Sequence, residues 1–76
     1  MPKLFSGKEI IKILCKKYSF EQVSVSGSHV KLRKIALDII VTTIVPLHTQ
    51  VFIGTFKQIM RQSRIDPVDF IEKSRE

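Results

Sequence analysis

The sequence predicts an α+β fold: a three-stranded antiparallel sheet covered on one face by two helices, with a short helix after them. Three observations predict it. Apolar residues recur at helical spacing from Ile10 to Tyr18; the period changes to two on either side of a Ser26-Gly27-Ser28 turn; and helical spacing returns at Phe56, Ile59 and Met60 after the β-branched run Ile39–Val45. The 76 residues suit one domain, 1–76, because stable domains rarely fall much below about 50 residues.

The first helix opens at Ser6-Gly7-Lys8-Glu9, which reads as a capping box: the Ser6 hydroxyl accepts from the Glu9 backbone N–H while the Glu9 carboxylate reaches back. Phe5 and Ile10 are placed to form its hydrophobic staple. Ile10, Ile11, Leu14, Cys15 and Tyr18 share one helical face, and Lys8, Lys12 and Lys16 recur every four residues on another. Such a stripe reads either as an ordinary solvated face or as a surface for RNA. Cys15, in its apolar setting, reads as core.

In the first strand, Val23 and Val25 alternate with Gln22, Ser24 and Ser26, as expected of a half-buried strand. Beyond the Gly27 turn, Val30 and Leu32 take one face of a second strand, which leaves His29, Lys31 and Arg33 together on the other. Lys34–Asp38 reads as a connection with no Gly or Pro to name its turn type. The run Ile39–Val45 predicts a strand covered on both faces or paired centrally, ended by Pro46. After a loop over 47–53, Gly54-Thr55 precedes a second helix with Phe56, Ile59 and Met60 inward and Lys57, Arg61 and Arg64 outward. Asp66-Pro67-Val68-Asp69 supplies an N-cap, a proline at the first helical position and an acid in the first turn of the last helix, docked by Phe70 and Ile71. This α-β-β-β-α order is the layout of double-stranded-RNA-binding domains.

Charge is uneven along the chain. Residues 1–34 carry eight Lys or Arg against two acids, so the whole net charge of +6 lies there, and residues 35–76 balance five against five. A small basic domain attracts polyanions by counterion release, and nucleic acid is the partner this favours. The longest apolar run is interrupted by Thr42, Thr43 and Pro46 and falls short of the about 20 residues a membrane span needs. Met1–Phe5 has no apolar core or cleavage site of a secretion leader, so a cytoplasmic protein with no membrane role is expected. A single cysteine and two histidines offer neither a disulfide nor zinc-like ligand spacing, and no metal or cofactor is expected. The carboxylates Asp38, Asp66 and Asp69 read as turn and cap residues, which disfavours paired-carboxylate hydrolysis. No phosphate loop, nucleophile elbow or dinucleotide fingerprint is present.

Four segments together resemble the HicA family of bacterial toxins, from Ser6 to Phe70. They are Ser6-Gly7-Lys8-Glu9-Ile10-Ile11, Gly27-Ser28-His29-Val30-Lys31-Leu32-Arg33, Val45-Pro46-Leu47-His48, and Gly54-Thr55-Phe56 with Ile59-Met60-Arg61-Gln62. The chain departs from the family at Lys34–Asp38, which lacks the usual Gly-containing turn, and at Ser63-Arg64, where a small residue and a helix-ending glycine are usual. The resemblance implies a messenger-RNA-cleaving toxin of a type II toxin–antitoxin system, on a double-stranded-RNA-binding-like fold, held by a HicB-type antitoxin. It makes His29 the catalytic residue. Lys31 and Arg33 are then expected to hold the scissile phosphate, beside Ser28, and Lys57 and Arg61 to reach RNA from the second helix.

Read from the residues alone, His29 is also consistent with an exposed strand histidine beside a turn, and the chain with a non-catalytic RNA-binding module. Histidine suits metal-free RNA cleavage because its unperturbed pKa near ~6.5 allows proton transfer at neutral pH. His48 is the candidate second group by residue type, and a histidine following a strand-end proline also serves to satisfy a backbone carbonyl. The apolar residues Ile35, Leu37, Ile39 and Ile40 suggest a further contact surface, for a homodimer or an antitoxin.

Overall fold

A computed structural model of the chain describes residues 4–76. Met1–Lys3, and with them part of the leader reading and one basic residue, lie outside the described residues. The elements run α1 (Gly7–Lys17), β1 (Glu21–Ser26), β2 (His29–Ala36), β3 (Ile39–Pro46), α2 (Ile53–Ser63) and α3 (Pro67–Ser74). The strands form one antiparallel sheet in the order β1-β2-β3. The predicted α+β layout is therefore the one observed.

Each helix starts where its cap chemistry puts it, except α2. At α1 the Ser6 Oγ accepts from the Glu9 N–H at 3.1 Å and Glu9 Oε1 accepts from the Ser6 N–H at 2.8 Å, which completes the capping box. At α3 the Asp66 carboxylate accepts from the Val68 N–H at 2.9 Å, ahead of Pro67 in the first turn. Helix α2 begins at Ile53, ahead of Gly54-Thr55, with Phe52 as a cap that offers no side-chain bond. It ends with Arg64 in the left-handed region, at φ 60°, in the place glycine would take without a Cβ penalty.

Both hairpin turns are two-residue turns with positive φ at their first central position, as in type II′. In the first, Gly27 has φ +59° between the paired residues Ser26 and His29. In the second, Leu37 takes φ 55° between Ala36 and Ile39, so β2 runs on to Ala36 and only Leu37-Asp38 of the segment read from sequence as a connection, Lys34–Asp38, forms the turn. A leucine in that conformation gives no turn signal in the sequence, which explains why the turn was illegible.

The core lies between the sheet and the helices. Val30 and Leu32 of β2 and Val41 and Val45 of β3 point into it, meeting Ile10 and Leu14 of α1 and Phe56, Ile59 and Met60 of α2. An aromatic cluster joins the helices: Phe5 stacks on Phe56 and meets Phe70 edge-on, and Tyr18 stacks on Phe70. The Tyr18 hydroxyl donates to the Asp69 carboxylate, tying the end of α1 to α3. Phe5, suggested by the sequence as the staple to Ile10, packs against the core that holds Ile10 and joins this aromatic cluster as well.

Two strands differ from expectation. All of β1 is exposed: a bulge between Gln22 and Ser24 interrupts its ladder at Val23, and Val25 is 59% exposed although it faces the helix side. β3 is an edge strand with one covered face, so Ile40 and Ile44 are exposed on the bare face of the sheet beside Ile35. A β-branched run describes strand propensity equally well in both settings, so sequence could not choose between them.

Candidate active surface on the bare face of the sheet

His29 is the first residue of β2 and pairs with Ser26 on one side and Pro46 on the other. Because side chains alternate along a strand, the burial of Val30 and Leu32 forces His29, Lys31 and Arg33 to the opposite, bare face, where all are exposed. Successive residues on that face are about 7 Å apart along the strand, within reach of long cationic side chains. The predicted triplet is therefore brought together.

Register decides how the two cations differ. Lys31 pairs with the uncharged Ser24 and Ile44, whereas Arg33 pairs with Glu21 and Thr42. Glu21 thus stands across the ladder from Arg33, whereas Lys31 has no acid across from it. Sequence alone missed Glu21, because the bulge at Val23 sets which residue faces Arg33.

Three chain segments meet at the His29 end of the sheet. The Ser28 carbonyl accepts from the Leu47 N–H at 2.6 Å, and the His48 carbonyl accepts from the Gly7 N–H at 2.9 Å. The approach of α1 to this strand end is so close that a Cβ on Gly7 would lie 2.0 Å from the Pro46 carbonyl oxygen. Gly7 is thus a structural requirement of the site: it lets the α1 N-terminus seat against the segment that pairs with His29. The capping box pointed to Gly7 as helix start, without any signal of this contact. His48 is exposed, and its backbone carbonyl is engaged by α1.

The second predicted basic group sits elsewhere. Lys57 and Arg61 are exposed on α2, which packs on the opposite side of the sheet from His29, Lys31 and Arg33. The sheet lies between the two groups. Ser28 is an exposed turn residue adjoining His29. Cys15, read as core, is only partly buried, and burial followed by the charge of Glu21 raises its thiol pKa. Among the described residues, no helix is long and apolar enough to cross a membrane, and no group of three or more His, Cys, Asp or Glu is placed to hold a metal ion.

Comparison of the chain with curated proteins and with solved structures finds no match. The family model for the HicA toxin of bacterial toxin-antitoxin matches residues 7–65, a span from the start of α1 to just past α2 that includes His29 and its neighbours. The chain therefore belongs to the HicA toxin family, and is the toxin partner of a cognate antitoxin.

Proposed function

We propose that this toxin is an endoribonuclease that cleaves messenger RNA without a metal ion, with His29 as its proton-transfer group. The observation that carries the reading is the joint exposure of His29, Lys31 and Arg33 on one bare sheet face in a HicA family member. RNA supplies its own nucleophile. His29 takes the proton of a 2′-hydroxyl, the 2′ oxygen bonds to the adjacent phosphorus, and the bond from phosphorus to the 5′ oxygen breaks. The products are a 2′,3′-cyclic phosphate and a 5′-hydroxyl end. Lys31, and Arg33 beside it, stabilise the charge that develops on the phosphoryl oxygens. The departing 5′ oxygen takes its proton from water or from His48, and an unchanged rate in His48→Ala assigns it to water.

Purified wild type and His29→Ala, incubated with a long single-stranded RNA in EDTA, test the reading. Wild type should cut and leave cyclic-phosphate ends. The variant should bind RNA and lose activity by a factor of ~10²–10⁴, the usual contribution of a positioned acid–base group. Equal binding with no cutting by either protein would leave an RNA-binding module instead. Cutting abolished by EDTA alone would overturn the metal-free route.

A further inference from the structure

The incomplete cover of β1 leaves a groove between α1 and the helix-facing side of the sheet. It is lined by Ile11, Val25, Val30 and Leu47 on its apolar surface, with Lys8, Lys12 and Lys16 along the α1 side. Its volume is about 520 Å³. No carboxylate lines it. Val25 faces into this space instead of into the core, which accounts for its exposure.

We infer that this groove binds a segment of single-stranded RNA, with the three lysines taking successive phosphates and the aliphatic floor taking the faces of bases. The inference rests on the ribonuclease reading and adds a substrate-holding subsite to it. Three features support RNA as the occupant. The lysines recur every four residues along α1, and so stand about 6 Å apart, which is the order of the separation between neighbouring phosphates of an RNA strand. The ammonium groups flank an uncharged apolar floor, a pairing of electrostatic and apolar contacts that suits a flexible polyanion carrying planar bases. The groove also runs to the catalytic end of the sheet: Leu47, part of its lining, donates its N–H to the carbonyl of Ser28, next to His29. His29 itself faces the bare side of the sheet, so a strand held in the groove on the helix-facing side reaches it by passing around the Gly27-Ser28 turn at that end.

The test uses a single-stranded oligouridine of about eight nucleotides, with His29→Ala in both proteins so that the probe stays intact. One protein keeps the lysines and the other carries Lys8→Ser, Lys12→Ser and Lys16→Ser. Loss of three phosphate contacts should lower the slope of log affinity against log salt by about 2, at about 0.7 for each contact to a single strand. Between 50 and 200 mM salt, the lysine-bearing protein should then lose roughly 15- to 20-fold more affinity than the serine variant. Cys15 also lines the groove and gives an independent readout. Bound oligouridine should slow its alkylation in the lysine-bearing protein and not in the serine variant. Equal salt slopes with no protection of Cys15, while the oligouridine still binds, would overturn the groove and leave the ribonuclease reading standing. No binding of oligouridine or long RNA by either protein would overturn both.

Discussion

Gly7→Ala is expected to destabilise the protein strongly, against the usual trend for this substitution in a helix. The added Cβ would meet the Pro46 carbonyl oxygen at 2.0 Å and the Leu47 Cα at 3.0 Å. Both are backbone atoms, so no side chain can swing away. The helix start or the strand end must move by more than an ångström, and the Gly7 N–H to His48 carbonyl bond of 2.9 Å is lost or stretched. Overpacking of this kind costs about 1–3 kcal/mol and a lost hydrogen bond about 1 kcal/mol. Alanine's helix propensity offsets up to about 1 kcal/mol. The net expectation is a loss of about 1–3 kcal/mol, read as a lower urea midpoint at unchanged slope. Gly54 supplies the control, since it lies in the first turn of α2 with nothing within 4 Å of its would-be Cβ. Gly54→Ala should stabilise by about 0.4–1 kcal/mol. Because Pro46 pairs with His29, the proposed ribonuclease activity should also fall in the folded Gly7→Ala protein. A Gly7→Ala protein as stable as Gly54→Ala would refute the argument.

Three further outcomes follow from individual contacts. Arg64→Gly should raise stability by about 1 kcal/mol, because glycine adopts the left-handed end of α2 without a Cβ penalty; no gain in urea midpoint would contradict the strain. Ser63→Ala should be neutral or stabilising by up to about 1 kcal/mol in the same assay, since its buried hydroxyl has no hydrogen-bond partner among the described residues. The Tyr18 hydroxyl is held protonated by burial and then by its bond to Asp69, so its pKa in the folded protein lies well above 10. A raised folded-state value means the folded form keeps a proton that the unfolded form gives up. Stability should therefore fall as pH rises above about 10, and Tyr18→Phe should remove that component of the fall.

The sequence by itself determined the elements and one face of one strand. The capping residues Ser6, Glu9 and Asp66 set two helix starts through bonds to neighbours a few residues away, and such local chemistry is readable in order along the chain. Alternation about Val30 and Leu32 likewise put His29, Lys31 and Arg33 on a common face, because the strand period leaves no other arrangement. What only the tertiary structure decided depends on register and on approach between distant segments. The bulge at Val23 places Glu21 opposite Arg33 and leaves Lys31 opposite Ser24. The uncovered second face of the sheet leaves Ile40 and Ile44 bare, as it does Ile35 on the central strand, and a gap beside α1 turns Val25 and a lysine stripe into the two sides of a groove. Leu37 and Arg64 occupy left-handed positions that their residue types do not announce, since packing of the surrounding elements outweighs a local cost of about 1–2 kcal/mol each. Gly7 belongs to both accounts: local chemistry places it at a helix start, while the close approach of Pro46 makes the absence of a side chain necessary.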